Sequence, residues 1–448
     1  MRLLTGAVQV LTLLALATAA ATVVAFLVAL IVVLFTDARA WDVMWFALAA
    51  TAALAAPIVA YIVVLKRSDA LYKRAIAGGL SRALASGDVE ERTLSLDPDD
   101  MHFDNIIIFS DQHKGVRNPA DDFWRAERAY CAALAHYLEL GHRLVVLGDA
   151  EELWETWSPR KVISHHEGDG KSLALEAEFH ARGRYDRVWG NHDLLWSSEK
   201  EVKKHLATPE RFGDGFRVRR GLKLRVPDDG DRPGGLLFLV HGHQGTADSE
   251  AIAPISRIAV RLFGRLQRWF KRGWYTPAND WDLRDRHDTA MSRWAESKSA
   301  DGIVLIAGHT HRPVFWNSRP PIPGPDEIAR RRAELDAARQ AKRPPAELAE
   351  KHAALALEQA KENWGAGGAP PPVKMNKPSY FNSGCCSFAD GDVTGLEILD
   401  GEIRLVRWLD NNGDPKPHYP EGTSKDLREV FAAVHGRSPA PRPVPTAP

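Results

Sequence analysis

The stretch Asn105-Ile106-Ile107-Ile108-Phe109-Ser110-Asp111-Gln112-His113 decides how this chain is read. Four consecutive apolar residues, Ile106 to Phe109, predict a strand buried on both faces. Asp111 and His113 follow where that strand must end. In open α/β sheets the chemistry collects in the crevice beyond the carboxyl ends of the strands. A carboxylate and an imidazole placed there can grip one metal ion from a rigid support. Taken alone, the pair reads equally well as two solvated loop residues.

The same pattern recurs four times. Arg143 to Leu147 ends in Gly148-Asp149, with Glu152 three residues on. Tyr185 to Trp189 ends in Gly190-Asn191-His192-Asp193, Leu236 to Val240 in His241-Gly242-His243, and Ile303 to Ala307 in Gly308-His309-Thr310-His311. Phe123 to Leu140 reads as a helix stopped at Gly141, so the first unit is strand, loop, helix. Each predicted strand hands over to Asp, His or Asn, and these residues gather on one edge of a sheet. Imidazole and oxygen ligands can hold two divalent ions about 3.5–4 Å apart, which clamp a phosphoryl group and generate hydroxide at neutral pH. Glycine beside a ligand lets the backbone turn sharply and the substrate approach.

In their order and spacing the five blocks resemble the calcineurin-like metallophosphoesterase superfamily, over Asn105 to Pro313, and Asn382-Ser383-Gly384 fits its final strands. The resemblance implies an α/β fold, a four-layer αββα sandwich of two sheets flanked by helices. It implies that Asp111, His113 and His311 hold one metal, that Asn191, His241 and His309 hold the second, and that Asp149 bridges. His243 is the alternative to His241. His192 would contact the phosphate and assist the leaving oxygen, with Glu152 accepting its ring N–H, a pairing that fixes the tautomer and raises basicity. The implied reaction is in-line attack on phosphorus by a metal-activated hydroxide, without a covalent enzyme intermediate. Carboxylate, imidazole and amide ligands suit two divalent ions of manganese, iron or zinc. His165 and His166 fall in a polar loop and read as solvated.

Composition sets the frame. A chain of 448 residues fits two or three units. Lys plus Arg and Asp plus Glu are 58 each, so no net charge points to a polyanionic partner. Three cysteines, Cys131, Cys385 and Cys386, make no disulfide framework and no CxxC zinc site, which suits a reducing compartment. Cys385 and Cys386 read as small packing residues.

The N-terminal end is of another kind. No charge occurs between Arg2 and Asp37, nor from Val43 to Leu65. Each run exceeds the roughly 20 apolar residues that span a bilayer. Trp41 and Trp45 in the connector suit an interfacial belt, and Lys66, Arg67, Lys73 and Arg74 follow the second run. The pattern predicts a two-helix transmembrane hairpin over 1–68 with both ends, and the catalytic domain, on the cytoplasmic side. A cleaved signal peptide fits less well, since its apolar core is only about 7–15 residues long. A juxtamembrane helix and linker would fill 69–104, and the core 105–319 would carry a helical excursion over 244–301. A charged helical insertion (320–373), closing strands (374–412) and a partly disordered tail (413–448) complete the division.

Within the excursion, Ile255 to Trp274 has no acidic residue. Arg257, Arg261, Arg265, Arg268 and Arg272 share one helical face, and Ile258, Leu262, Leu266, Trp269 and Phe270 lie on or beside another. This predicts a basic amphipathic helix of the membrane-surface type, with Arg257, Arg261 and Arg265 as candidate contacts to an anionic substrate. A domain-packing helix with a solvated basic rim is the plainer alternative. Nucleic acid is not expected, because no second basic stripe or aromatic stacking set accompanies it. Gly148-Asp149-Ala150-Glu151-Glu152-Leu153-Trp154 and the excursion also resemble the UDP-2,3-diacylglucosamine pyrophosphatases. Those enzymes carry Arg in place of His192 and lack a transmembrane hairpin. The expectation is a membrane-anchored phosphohydrolase acting on a phosphorylated small molecule or lipid. The competing expectations are a non-catalytic scaffold binding a partner, a nuclease and a phosphoprotein phosphatase. The sequence carries no signal for oligomeric state.

Overall fold

The computed structural model of the protein describes residues 69–118, 121–154, 156, 158–246, 281–316, 325–341, 343, 344, 347, 348, 351, 373–388, 390–410, 413–420 and 422–437. The expected hairpin over 1–68, the basic helix over 255–274 and much of 320–373 lie outside the described residues. Among the described residues no helix is long and apolar enough to cross a membrane. The chain divides into two compact units, Met1–Ala75 with Thr246–Ile252, and Ile76–Gly245 with Ala253–Pro448. Of the first, the described part is Thr246 and the opening turns of helix α1 (Asp69–Leu84). The second carries both sheets.

The fold is mixed α/β with two sheets. The first orders its strands β1 (Val89–Thr93), β5 (Gly221–Val226), β6 (Gly235–Val240), β7 (Ile303–Ala307), β9 (Tyr380–Ser383) and β8 (Pro313–Val314). The second runs β12 (Lys416–His418), β11 (Glu402–Leu409), β10 (Val393–Leu399), β2 (Ile106–Phe109), β3 (Arg143–Leu147) and β4 (Tyr185–Val188), with β13 (Ser424–Asp426) also on β11. β2, β3 and β4 are parallel neighbours, as are β6, β7 and β9.

The unbroken apolar runs follow from burial on two sides. Ile106 and Ile108 of β2, with Val145 and Leu147 of β3, face a core shared with Leu237, Leu239, Val304 and Ile306 of the other sheet. The alternate residues Ile107, Phe109, Leu144 and Val146 face a second core. Helices α2 (Phe123–Glu139) and α4 (Ser172–Ala181) close that core with Phe123, Tyr130, Leu134, Tyr137, Leu173 and Phe179. On the first sheet, α6 (Trp281–Ser297) sets Trp294 against Phe238, ring centroids 6.0 Å apart, and Trp294 Nε1 donates to Ser81 Oγ at 2.9 Å. Asp400 and Gly401, at φ 50° and 79°, make the β10–β11 turn, whose paired left-handed residues match the twist of a two-residue hairpin.

Several elements differ from the sequence reading. β1 lies in the stretch read as juxtamembrane helix and linker, and β5 follows a region without a strand signal; the polar, alternating residues of β1 (Val89-Glu90-Glu91-Arg92-Thr93) suit a sheet edge, and β5, paired between β1 and β6, sets Lys223 and Arg225 between Leu222, Leu224 and Val226, so both hide from an apolar-run search. His166 is not in a solvated loop. Pro159 starts a short helix, α3 (Pro159–His166), which buries His166 with Nδ1 3.1 Å from Glu127 Oε1 and Nε2 3.0 Å from the Gly115 carbonyl. His165 at its end is half-buried. Residues 413–437, read as tail, form β12, β13 and α8 (Leu427–His435), where Leu427, Val430, Phe431 and Val434 enter the core between the sheets. The Asp426 side chain caps that helix, accepting from the N–H groups of Arg428 and Glu429. From the charged insertion, α7 (Pro325–Gln340) is described. Phe431→Ala is therefore expected to cost about 3–5 kcal/mol of stability, measured as a lower urea midpoint; an unchanged midpoint would return 413–437 to the status of a tail.

Candidate metal centre

The two sheets deliver their strand ends to one place. β2, β3 and β4 end at Asp111 and His113, at Asp149, and at Asn191 and His192. β6 and β7 of the other sheet end at His241 and at His309 and His311. Backbone bonds lock these ends together: the Asp111 N–H donates to Gly148 O at 3.1 Å, the His113 N–H to Asp149 O at 2.9 Å, and the Gly308 N–H to His241 O at 2.9 Å. The sheets are joined here as well, since the His309 N–H donates to Asp111 Oδ2 at 2.9 Å.

Asp111, His113 and His311 form one group that could hold a metal ion, and Asp149, His241 and His309 a second. A third grouping, His113, Glu152 and His192, shares His113 with the first. In the first, the Nε2 atoms of His113 and His311 are 3.1 Å apart, and Asp111 Oδ1 lies 3.2 Å from His311 Nε2 and 3.9 Å from His113 Nε2. In the second, Asp149 Oδ2 is 3.1 Å from His241 Nε2, which is 3.2 Å from Asn191 Oδ1. The same Asp149 Oδ2 lies 3.8 Å from His113 Nε2, so one carboxylate oxygen stands between the two groups. Asp149 Oδ1 accepts the His192 N–H at 2.8 Å.

The donor set fits divalent metal. His241 Nδ1 lies 2.9 Å from the Leu147 carbonyl, and His113 Nδ1 lies 3.1 Å from Glu152 Oε2. Those acceptors hold a proton on Nδ1 and aim Nε2 into the site, where its lone pair becomes available to a metal once the ring is neutral. Two nitrogens on one ion at about 2.0–2.1 Å lie about 3 Å from each other, which is the spacing of His113 and His311. Asp111 Oδ1 is buried against these two ring nitrogens and makes no well-aligned hydrogen bond among the described residues. One proton can link two of the three convergent acceptors in this group; a cation satisfies all three.

The charges are held by one another. Burial opposes ionisation of Asp149, but His241, His192 and His113 keep its carboxyl well below the usual range. Burial likewise opposes protonation of His113 and His241, yet Glu152, Asp149 and Asp111 push His113 up to about 10, and Asp149 and Asp111 push His241 up to about 9. Burial is also offset at Glu152, which His192 and His113 hold below the usual carboxylate range. Glu152 Oε2 takes His192 Nδ1 at 2.6 Å as well as His113, and Glu152 Oε1 accepts the Trp154 N–H at 2.9 Å.

The backbone is bent to achieve this. Among the described residues, seven non-glycine residues have positive φ, and five of them are Asp111, His113, Asp149, His309 and His311, at 51° to 70°. That conformation costs an L side chain about 1–2 kcal/mol, and it persists only where the surroundings over-determine it. Glycine makes room at Gly190, where a Cβ would stand 2.1 Å from Asp149 Oδ1.

All nine sequence-derived residues, Asp111, His113, Asp149, Glu152, Asn191, His192, His241, His309 and His311, come together; Arg257, Arg261 and Arg265 lie outside the described residues. His243 is buried beside Trp189, 5.3 Å between ring centroids, and belongs to none of the three groups. Other residues had no role in the sequence reading. Trp154 stacks on His192 at 4.3 Å and 14°, and its Nε1 donates to the Asn191 carbonyl at 2.6 Å. Asp193 Oδ1 accepts the Gly190 N–H at 2.6 Å and its Oδ2 the Ala150 N–H at 3.0 Å, pinning the Asn191-His192 turn to the end of β3. Their adjacency to Glu152 and His192 was a usable signal. His287 of α6 had none: its ring lies 4.9 Å from that of His309, and its Nε2 is 2.8 Å from the Gly242 carbonyl.

Gly190→Ala is expected to displace Asp149 and weaken manganese binding about tenfold or more, measured by calorimetric titration; wild-type affinity would show that the crowding is relieved elsewhere. Because His113 and His241 are raised to about 10 and about 9, both favour the imidazolium form at neutral pH. Metal uptake at pH 7.5 is then expected to release protons and to tighten as pH rises toward 9. Titrations in two buffers of different ionisation enthalpy check this, and equal heats would contradict it. No protein-family model and no curated protein matches this chain, so the reading of the site rests on its own geometry.

Proposed function

We propose that the protein is a dinuclear metal-dependent phosphohydrolase of the calcineurin-like metallophosphoesterase superfamily, built as a four-layer αββα sandwich. It would cleave a phosphoester or pyrophosphate, with lipid-linked substrates among the candidates. The N-terminal hairpin over 1–68 would anchor it with the catalytic domain on the cytoplasmic side. The observation that carries the reading is Asp149 Oδ2 standing 3.1 Å from His241 and 3.8 Å from His113, between two ligand groups, beside the His192–Glu152 pair.

Asp111, His113 and His311, and Asn191, His241 and His309, with Asp149, would hold two divalent ions of manganese, iron or zinc, which would supply charge neutralisation and lower the pKa of water. His192 supplies what those ligands do not. Burial disfavours its charged form, but Glu152 and Asp149 raise it above the usual histidine value, which favours the protonated ring. With Nδ1 held by Glu152, Nε2 is the atom that can hydrogen-bond a phosphoryl oxygen and give its proton to the leaving oxygen. Trp154, stacked flat on the ring, fixes its plane.

The test is hydrolysis by the full-length protein in detergent with manganese. The substrates are bis-p-nitrophenyl phosphate, a lipid pyrophosphate and a phosphomonoester. Metal-dependent turnover is expected, abolished in Asp149→Ala and reduced about 10²–10⁴-fold in His192→Ala. Undiminished turnover in Asp149→Ala, or no hydrolysis of any ester by a metal-loaded wild type, would overturn the assignment.

A further inference from the structure

The turn Gly308-His309-Thr310-His311-Arg312 puts two non-glycine residues of the site in left-handed backbone. His309 and His311 are both left-handed, at φ 70° and 53°, and they serve different ligand groups. Thr310 stands between them. Its hydroxyl turns away from both groups and donates to Asp288 Oδ1 at 2.9 Å. Asp288 lies on α6 and is fully buried, so its carboxylate depends on the partners around it.

Those partners are specific. The Tyr380 hydroxyl of β9 donates to the same Oδ1 at 2.8 Å. Arg312 closes the other side: its Nη1 donates to Asp285 Oδ1 at 2.8 Å, one turn earlier on α6, and lies 3.7 Å from Asp288 Oδ2. Asn382 of β9 completes the network, with Nδ2 donating to the Gly308 carbonyl at 2.7 Å and to Thr310 Oγ1 at 3.2 Å. The turn is therefore gripped at Gly308, Thr310 and Arg312, the positions that alternate with the two histidines.

We infer that Asp288 is a positioning residue of the metal centre, which acts through Thr310 to hold His309 and His311 in left-handed backbone so that each aims at its own group. The reason is conformational. Two side chains one residue apart that serve different groups, both in a disfavoured region, relax unless the residue between them is fixed from outside. The groups that grip the turn from outside, Asp285 and Asp288 on a helix and Tyr380 and Asn382 on a strand, do not follow that relaxation. The inference rests on the metal-binding part of the proposed function and needs no hydrolytic step.

The test uses the full-length protein in detergent, stripped of metal and titrated with manganese, with free manganese read by electron paramagnetic resonance. Thr310→Val removes the donated hydroxyl with little change of shape, and Asp288→Ala removes its acceptor. Each is expected to weaken manganese binding about 10- to 100-fold while the metal-free protein still melts cooperatively. Asp288→Asn keeps an acceptor oxygen for both hydroxyls and is expected to retain affinity within about threefold of wild type. Wild-type affinity in a folded Thr310→Val protein would overturn the inference, and that variant decides the matter should Asp288→Ala fail to fold. A loss in Asp288→Asn as large as in Asp288→Ala would also overturn it. A wild type that binds manganese but hydrolyses no ester would remove the proposed phosphohydrolase activity and leave this inference standing.

Discussion

The charge on Asp149 is buried, and histidines reaching it from both sheets balance it. His241 comes from the end of β6, and His113 and His192 from the ends of β2 and β4. An isolated carboxylate in such a place would be expensive, because burial works against its ionised form. Here the imidazoles hold it ionised, and in turn it raises His113 and His241. The site is thus one coupled set of charges. Removing one member leaves its neighbours buried with less opposite charge to balance them.

That core explains the backbone of the site. Ile106 and Ile108 face the other sheet while Ile107 and Phe109 face the helices, so β2 cannot slide or rotate without exposing one face or the other. With the strands immobile, the turns after them can be held in left-handed conformations. Asp111, His113, Asp149, His309 and His311 all exploit this, and the close approach at Gly190 lets Asp149 stand where a Cβ would otherwise be. Packing energy from the sheets maintains local strain at the ligands.

A second layer of polar contacts orients the candidate ligands. Glu152 takes Nδ1 of both His113 and His192, and Trp154 backs His192 while bonding the Asn191 carbonyl. Asp193 ties the Asn191-His192 turn to β3, and Asp288 ties the His309–His311 turn to α6 and β9. These contacts are short and come from elements apart in the chain, so each candidate ligand's direction is set by more than one of them.

The site was legible in the sequence to an unusual degree, for a physical reason. A strand buried on both faces must be an unbroken apolar run, and the ligands follow it immediately, so run and ligand are adjacent in the chain. Asp111, Asp149, Asn191, His241 and His309 were found in that way. β1 and β5 were missed because strands that alternate charged with apolar residues carry no such run, and His166 was misread because a short, Pro-started helix looks like a loop. The C-terminal segment was taken for a tail because its one helix is brief, yet Phe431 and Val434 complete the core between the sheets. Sequence by itself determined which residues have ligand chemistry and which strand each one ends. Only the tertiary structure decided that Asp149 stands between the groups, that Glu152 serves two histidines, and that Asp288 supports a turn from a separate helix. Those are relations between elements far apart in the chain, set by packing two sheets on one core, and local periodicity does not encode them.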